Sequence, residues 1–386
     1  MKNIKLLNKI AKIGTDIFDK NEYNLSETIE SPDAIMVRSA DMLSMEFGAS
    51  LKAIARAGAG VNNIPVSKCA EEGIVVFNTP GANANGVKEL ALASLLLASR
   101  DIAAGIDWVK SQAGIPGIAK TVEKEKSKFA GIEIEGKTLG VIGLGAIGGM
   151  VANAAKALGM DVIGHDPYLT VAAAWGLSRG VKNAVGYDEI YAKADFITIH
   201  APVTNETREM INADTIAKMK DGVRIINLSR ADLVKNEDMI AALGSGKVAR
   251  YVTDFPTDEI ANVKGVIAIP HLGASTEESE DNCAVMAAQQ LIEFLENGNI
   301  KNSVNFPDTF MPHSGDARIC VMHKNIPNVL SRISAAVSDE NINIENMINR
   351  SKGEFAYTIM EICGKVSPAM LDKLAAVDGV IRTNVY

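Results

Sequence analysis

Between Lys137 and Tyr168 the chain reads KTLGVIGLGAIGGMVANAAKALGMDVIGHDPY, and no other stretch narrows its choice of fold as far. An apolar run, Thr138–Ile142, leads directly into Gly143-Leu144-Gly145-Ala146-Ile147-Gly148. A helical pattern over Gly149–Leu158 follows, then a second apolar run, Asp161–His165, and an acid, Asp166. Strand, glycine turn, helix, strand and acid in that order predict a βαβ unit that binds a dinucleotide. Gly143 permits the tight turn, Gly145 lets the backbone approach a pyrophosphate, and Gly148 lets the helix pack on the strand. Ala146 and Ile147 complete the turn, where the helix N-terminus offers N–H groups and partial positive charge to phosphates. Asp166 accepts hydrogen bonds from ribose hydroxyls and repels a 2′-phosphate, so the expected cofactor is NAD rather than NADP.

The rhythm continues on both sides. Further strand-like runs at Asp195–His200, Val223–Leu228, Val248–Thr253 and Val266–Ile269 alternate with helical patterns such as Asn236–Leu243. Six runs separated by crossovers predict a doubly wound parallel sheet over residues 96–277. Upstream, Asp33–Arg38, Leu51–Arg56 and Gly73–Asn78 predict a smaller βαβ domain, assigned 1–95 together with 278–306. A helical pattern spans Glu277–Glu296, and the Gly- and Pro-containing stretch after it reads as a linker, assigned 307–316. Residues 317–386 switch to strand, helix, strand, strand, helix, strand, the order of a ferredoxin-like module. The fold class is therefore α/β: two doubly wound Rossmann/flavodoxin-like domains and a C-terminal ferredoxin-like module.

A net charge of −8 argues against a nucleic-acid partner, whose binding depends on surplus Lys and Arg. The longest apolar stretch, Leu90 to Ala98, is about half of the ~20 residues that cross a bilayer. Lysines interrupt every apolar run near the N-terminus, so no signal peptide is expected. Cys69, Cys283, Cys320 and Cys363 form no CxxC pair, which leaves no metal spacing and no disulfide framework. A cytoplasmic chain without membrane partners, its thiols buried singly, is the expectation.

With five histidines the search for a proton carrier is short. His165 stands beside Asp166, His313 in the linker and His323 in the C-terminal module, leaving His200 and His271. Both end expected strands of the dinucleotide domain, the edge where open α/β sheets bind ligands, together with Asp166, Arg230 and Asp254. His200-Ala201-Pro202 offers a flat wall for the adenine side. Arg230, in Asn227-Leu228-Ser229-Arg230, can grip a 2-hydroxy or 2-oxo carboxylate with its guanidinium fork. His271, followed by Leu272-Gly273-Ala274, can take the hydroxyl proton as hydride leaves the adjacent carbon. A carboxylate from Asp254-Phe255-Pro256-Thr257-Asp258-Glu259 can fix the tautomer of His271.

These motifs, together with Val37-Arg38-Ser39, Ala55-Arg56-Ala57-Gly58-Ala59-Gly60-Val61 and Asn78-Thr79-Pro80-Gly81-Ala82-Asn83, resemble the D-isomer-specific 2-hydroxyacid dehydrogenases over nearly the whole length. The resemblance implies an Arg–Glu–His triad of Arg230, Glu259 and His271. Asp258 takes the acid's place if Phe255-Pro256-Thr257 sets the alignment instead. Asp254 would bind the nicotinamide carboxamide, with Leu228, Ser229, Gly273 and Ala274 also lining the cofactor. The loop Gly58, Ala59, Gly60 and Val61 would bind the substrate carboxylate, and Arg38 and Arg56 a phosphate.

The C-terminal module resembles an ACT domain, the amino-acid-binding regulatory module that works in paired copies. His323, Asn325 and Asn343 match its serine contacts, while Asn328 replaces the usual Gly. A 3-phosphoglycerate oxidoreductase in serine synthesis, forming a homodimer or homotetramer and closing its two α/β domains over the substrate, is the implied function. A hydroxypyruvate, glyoxylate or D-lactate reductase is the rival enzyme, and an NAD-sensing binding protein or corepressor the rival of another class.

Overall fold

The structure, a computed structural model, describes residues 1–386. The chain divides into two compact units, Met1–Asn83 with Glu280–Tyr386, and Ala84–Ser279.

The first unit holds a parallel sheet of β1 (Lys2–Leu7), β2 (Tyr23–Ser26), β3 (Ala34–Val37), β4 (Ala53–Arg56) and β5 (Val75–Phe77) in the order β2-β1-β3-β4-β5. That is the flavodoxin-like winding. Every residue of β3 is buried, which is why it reads as an unbroken apolar run. One face of the sheet packs Ile4, Met36, Ala55 and Phe77 against Ala287, Leu291 and Phe294 of the long helix Glu277–Asn297. The other packs Ile35, Val37, Ile54 and Val76 against Met42, Ile64 and Cys69.

The unit also contains an antiparallel sheet of β13 (Ala317–Lys324), β14 (Asn343–Lys352), β15 (Phe355–Cys363) and β16 (Val380–Val385), ordered β14-β15-β13-β16. One face packs on the helices Val329–Ser338 and Pro368–Ala375 through Ile319, Val321, Ile333, Met360 and Leu374. The opposite face is not free. Cys320, Met322, Tyr357 and Ile359 share one core with the parallel sheet and the long helix. Arg382 on β16 donates to the carbonyls of Leu51, Ala49 and Gly73. The βαββαβ order holds, but the module is built into the first unit rather than standing apart.

The segment 307–316 is likewise no free linker. Phe306, at its threshold, is fully buried, and Ile300 pairs with Thr309 in an antiparallel bridge. Arg318, fully buried, donates to the carbonyls of Asn297 and Met311. Glu361 accepts from Arg318 Nε and from the N–H groups of Ser314 and Gly315. A buried charge needs such partners, and here the apparent linker supplies them.

The second unit is a seven-stranded parallel sheet, ordered β12-β11-β10-β9-β6-β7-β8. Its strands are β6 (Thr138–Ile142), β7 (Asp161–His165), β8 (Val181–Asn183), β9 (Phe196–Ile199), β10 (Val223–Asn227), β11 (Val248–Thr253) and β12 (Val266–Ala268). All six expected strands are present; the seventh, β8, is three residues long and two of them are exposed. The helix Ala84–Ser99 belongs here, which moves the boundary from residue 95 to Asn83. Val87, Ala91, Leu95 and Ala98 recur at helical spacing and share a core with Val151, Ala152 and Ala155 of the helix Ala146–Ala157. No helix is long and apolar enough to cross a membrane.

Candidate active site

The strand order reverses between β6 and β9, the switch point at which doubly wound sheets bind ligands. Gly143 follows β6 with φ of 86°, and a Cβ there would stand 2.5 Å from the His200 carbonyl. At Gly148 a Cβ would stand 1.9 Å from the Gly143 carbonyl, so helix and turn meet only because the side chain is missing. A Cβ at Gly145 would meet nothing within 4 Å, and Gly145 caps the helix Ala146–Ala157 with no side chain bonded to its first turn. Open space over uncapped N–H groups suits a pyrophosphate. Asp166 accepts from the N–H of Leu144 and of Tyr168, each at 2.9 Å, which holds the acid against the glycine turn.

Two buried polar atoms at the same sheet edge have no protein partner, His200 Nδ1 and Asp254 Oδ1. His200 Nε2 pairs with Thr198 Oγ1 at 2.9 Å, and burial pushes its pKa down to about 4, so the ring is neutral at physiological pH. Asp254 is 1% exposed, and its other oxygen accepts from Gly273 N–H at 3.2 Å. Burial raises the Asp254 pKa; the Gly273 N–H and the charges of His271 and Arg230 pull the other way without cancelling it. An orphaned buried carboxylate oxygen calls for a donor from a ligand, and an amide NH2 such as that of nicotinamide is one. The residues present therefore fit NAD.

Asn227, fully buried at the end of β10, accepts from Ser229 N–H and donates to the Arg230 carbonyl at 2.8 Å. Ser229 Oγ donates to the Ile199 carbonyl at 2.6 Å, tying the ends of β10 and β9. Leu228 is buried beneath this turn, so Arg230 projects from a fixed backbone while its side chain is exposed. The Arg230 guanidinium lies 6.0 Å from the centre of the Phe255 ring, and the His271 ring lies 4.6 Å from the same centre. The two candidate groups thus share one aromatic platform. The sequence marks Phe255 only as part of an acidic tract, and no periodicity signals a platform.

The acid of the triad is not joined to the histidine here. Glu259 accepts from Asn236 Nδ2 at 2.9 Å, and neither Glu259 nor Asp258 bonds His271. Asp254 is a carboxylate whose ionisation responds to both His271 and Arg230. Ala201 and Pro202 follow β9, and Ala274 lies in the stretch after β12.

In the first unit, Arg56 closes β4 and donates from Nε to the Arg38 carbonyl at 3.1 Å. Its guanidinium lies over Gly58, where a Cβ would be 2.0 Å from Nη1. Arg38, at the end of β3, is paired: Nη2 meets Glu280 Oε1 at 2.5 Å. Nothing in the sequence singles out Glu280 as that partner, 242 positions away. The loop Ala59, Gly60 and Val61 follows, with the Ala59 carbonyl accepting from Asn78 at 2.6 Å.

The three effector candidates do not converge within one chain. His323 is buried with both ring nitrogens engaged, by the Lys324 carbonyl and Thr358 Oγ1. Asn325 donates to the Gly353 carbonyl at 3.2 Å, beside the start of β15. Asn343 pairs with Cys363 at the other end of that strand. Asn328 has φ of 66°, so it adopts the left-handed conformation that the usual glycine would supply.

A family model, the D-isomer specific 2-hydroxyacid dehydrogenase NAD binding domain, matches residues 92–273. The D-3-phosphoglycerate dehydrogenase of Methanocaldococcus jannaschii is 33% identical over 393 residues, covering 98% of this chain and 72% of that protein. The hydroxypyruvate reductase of Thermotoga maritima is 37% identical, covering 75% of this chain and 93% of the reductase. Among solved structures, the NAD+-bound 3-phosphoglycerate dehydrogenase of Entamoeba histolytica superposes with a TM-score of 0.62 at 26% identity, over 80% of this chain and 99% of that one. Some relatives are much longer: the chain spans 56% of the Synechocystis D-3-phosphoglycerate dehydrogenase.

Proposed function

The chain belongs to the D-isomer-specific 2-hydroxyacid dehydrogenases, a family of NAD-dependent oxidoreductases, and from that premise we propose that it oxidises 3-phospho-D-glycerate to 3-phosphooxypyruvate in serine synthesis. The observation that carries a hydroxyacid reaction is the shared ring: Arg230 and His271 both rest on Phe255, at the sheet edge that also holds the glycine turn and Asp254. Arg230 binds the substrate carboxylate and the C2 oxygen through its fork. His271 takes the C2 hydroxyl proton during oxidation and returns it during reduction. Bound NAD+ supplies the hydride acceptor. Asp254 stabilises the imidazolium of His271, and Glu259 takes up that role if the Asn236 contact is released. The phosphate falls to Arg38 and Arg56.

Hydroxypyruvate reduction is the second reading. The Arg38–Glu280 pair favours it, because a paired arginine is a poorer dianion donor, and so does the Thermotoga relative. An NADH-absorbance assay over a panel of 2-hydroxy and 2-oxo acids, repeated with NADPH, tests both. Turnover of 3-phosphoglycerate well above D-glycerate supports the first reading; the reverse order supports the second, and no turnover with His271→Ala equal in biological effect supports a binding role.

A cytoplasmic homo-oligomer completes the proposal. The helices Ile102–Ser111 and Ile118–Glu125 bury no residue, and Ile102, Ile106, Val109, Ile115 and Ile118 stand exposed. So large an apolar display suits a second copy. Serine as effector would need His323 and Asn325 from one chain and Asn343 from another; titration of serine against activity tests it.

A further inference from the structure

Arg38 and Glu280 pose a problem for a phosphate clamp. Glu280 lies near the start of the 21-residue helix Glu277–Asn297, and its Oε1 meets Arg38 Nη2 at 2.5 Å. The pair is half-open to solvent, with the side chains 44% and 41% exposed, so a ligand can reach it. The thiol of Cys283, one turn further along the helix, senses Arg56, Arg38 and Glu280 together, which places all three in one electrostatic neighbourhood. Arg56 is fixed there by the Arg38 carbonyl and by its seat on Gly58. Glu280 therefore offsets the charge of Arg38, which a phosphate clamp would need.

We propose that Glu280 determines specificity between phosphorylated and unphosphorylated three-carbon acids by holding Arg38. The proposal rests on the reading of Arg38 as the donor to the substrate's far end. A phosphate dianion must displace the carboxylate from Arg38 and then lie beside it, which adds like-charge repulsion to the loss of the pair. A neutral hydroxyl instead fits the pair as it stands: it donates to the Glu280 carboxylate and accepts from Arg38. Glu280 is thus a selectivity residue, and the chemistry of hydride transfer does not involve it.

The test uses the full-length protein and compares Glu280→Gln, Arg38→Ala and the double variant. Readouts are KM and kcat for 3-phosphoglycerate and D-glycerate, and the inhibition constant of inorganic phosphate. An exposed pair is worth up to about 1 kcal/mol, so Glu280→Gln should tighten phosphate, and lower KM for the phosphorylated acid relative to the unphosphorylated one, by about three- to fivefold. In the Arg38→Ala background the same substitution should have no such effect. If Arg38→Ala weakens phosphate while Glu280→Gln changes neither the phosphate constant nor the KM ratio, the clamp stands and the proposal is overturned. If Arg38→Ala leaves phosphate binding unchanged, the clamp itself falls. A Glu280→Gln effect that persists without Arg38 also overturns the proposal, since the carboxylate would then act elsewhere. A structural defect would lower kcat for both acids alike and leave the ratio unmoved.

Discussion

Arg318→Met isolates the energy of the buried pair that anchors the C-terminal module. Both Arg318 and Glu361 are fully buried. Removing one partner of such a pair costs about 3–5 kcal/mol, because the remaining charge is left in a poor medium. Methionine also strands the carbonyls of Asn297 and Met311, each worth about 1 kcal/mol. The expected loss is therefore about 5–7 kcal/mol. Arg318→Met/Glu361→Met should recover about 2 kcal/mol or more of it, since no charge is then left buried alone.

The pH dependence follows from Glu361. Burial would raise its pKa, but the Gly315 N–H, Arg318 and the Ser314 N–H together hold it below the usual carboxylate range. A depressed folded-state value gives stability that is present above the unfolded pKa of about 4.3 and is lost as pH falls through the lower folded one. The gap between wild type and Arg318→Met should accordingly narrow below about pH 4. Both tryptophans, Trp108 and Trp175, lie in the other unit, so their fluorescence would miss the event. Hydrogen exchange of the β13 and β15 amides reads it directly. Protection unchanged by Arg318→Met, or a double variant no better than the single, refutes the reasoning.

Three further outcomes are expected. Gly148→Ala puts a methyl 1.9 Å from the Gly143 carbonyl and should abolish NAD binding by calorimetry while the fold persists by circular dichroism. His200, held down to about 4 by burial, should withdraw roughly 2–3 kcal/mol of stability as pH falls from about 6.5 towards 4, and His200→Gln should remove that slope from urea titrations. Ile106→Asp, on the exposed hairpin of helices, should shift the species seen by light scattering towards monomer without changing circular dichroism.

Most of the cofactor-binding architecture was legible because it is local. The glycine turn, its flanking strands and Asp166 lie within thirty-odd consecutive residues, and β9 to β11 are buried enough to read as apolar runs. β1 does not read as an apolar run because Lys2 and Lys5 break it, although long lysine stems can cover an apolar strand. β2 and β8 are short and partly exposed, so burial left little imprint on their composition. What the sequence hid is what depends on distant partners. Glu280 reaches Arg38 only after folding, Phe255 becomes a platform only between Arg230 and His271, and Asn236 claims Glu259 from 23 residues away. The linker reading failed for the same cause: Gly and Pro mark irregular backbone, but irregular backbone pinned by Arg318 and Glu361 is not loose.

The shared core of the first unit also decides where this chain can be cut. A minimal enzyme trimmed after residue 306 would strip Cys320, Met322, Tyr357 and Ile359 from the surface they shield, baring apolar side chains around Ile4, Met36 and Phe294. It would also release the Leu51 and Gly73 carbonyls from Arg382, just ahead of the strands that end at Arg56 and Phe77. Truncation series meant to separate catalysis from regulation would therefore yield sticky fragments, and point substitutions on the module's outer helices are the cleaner tool.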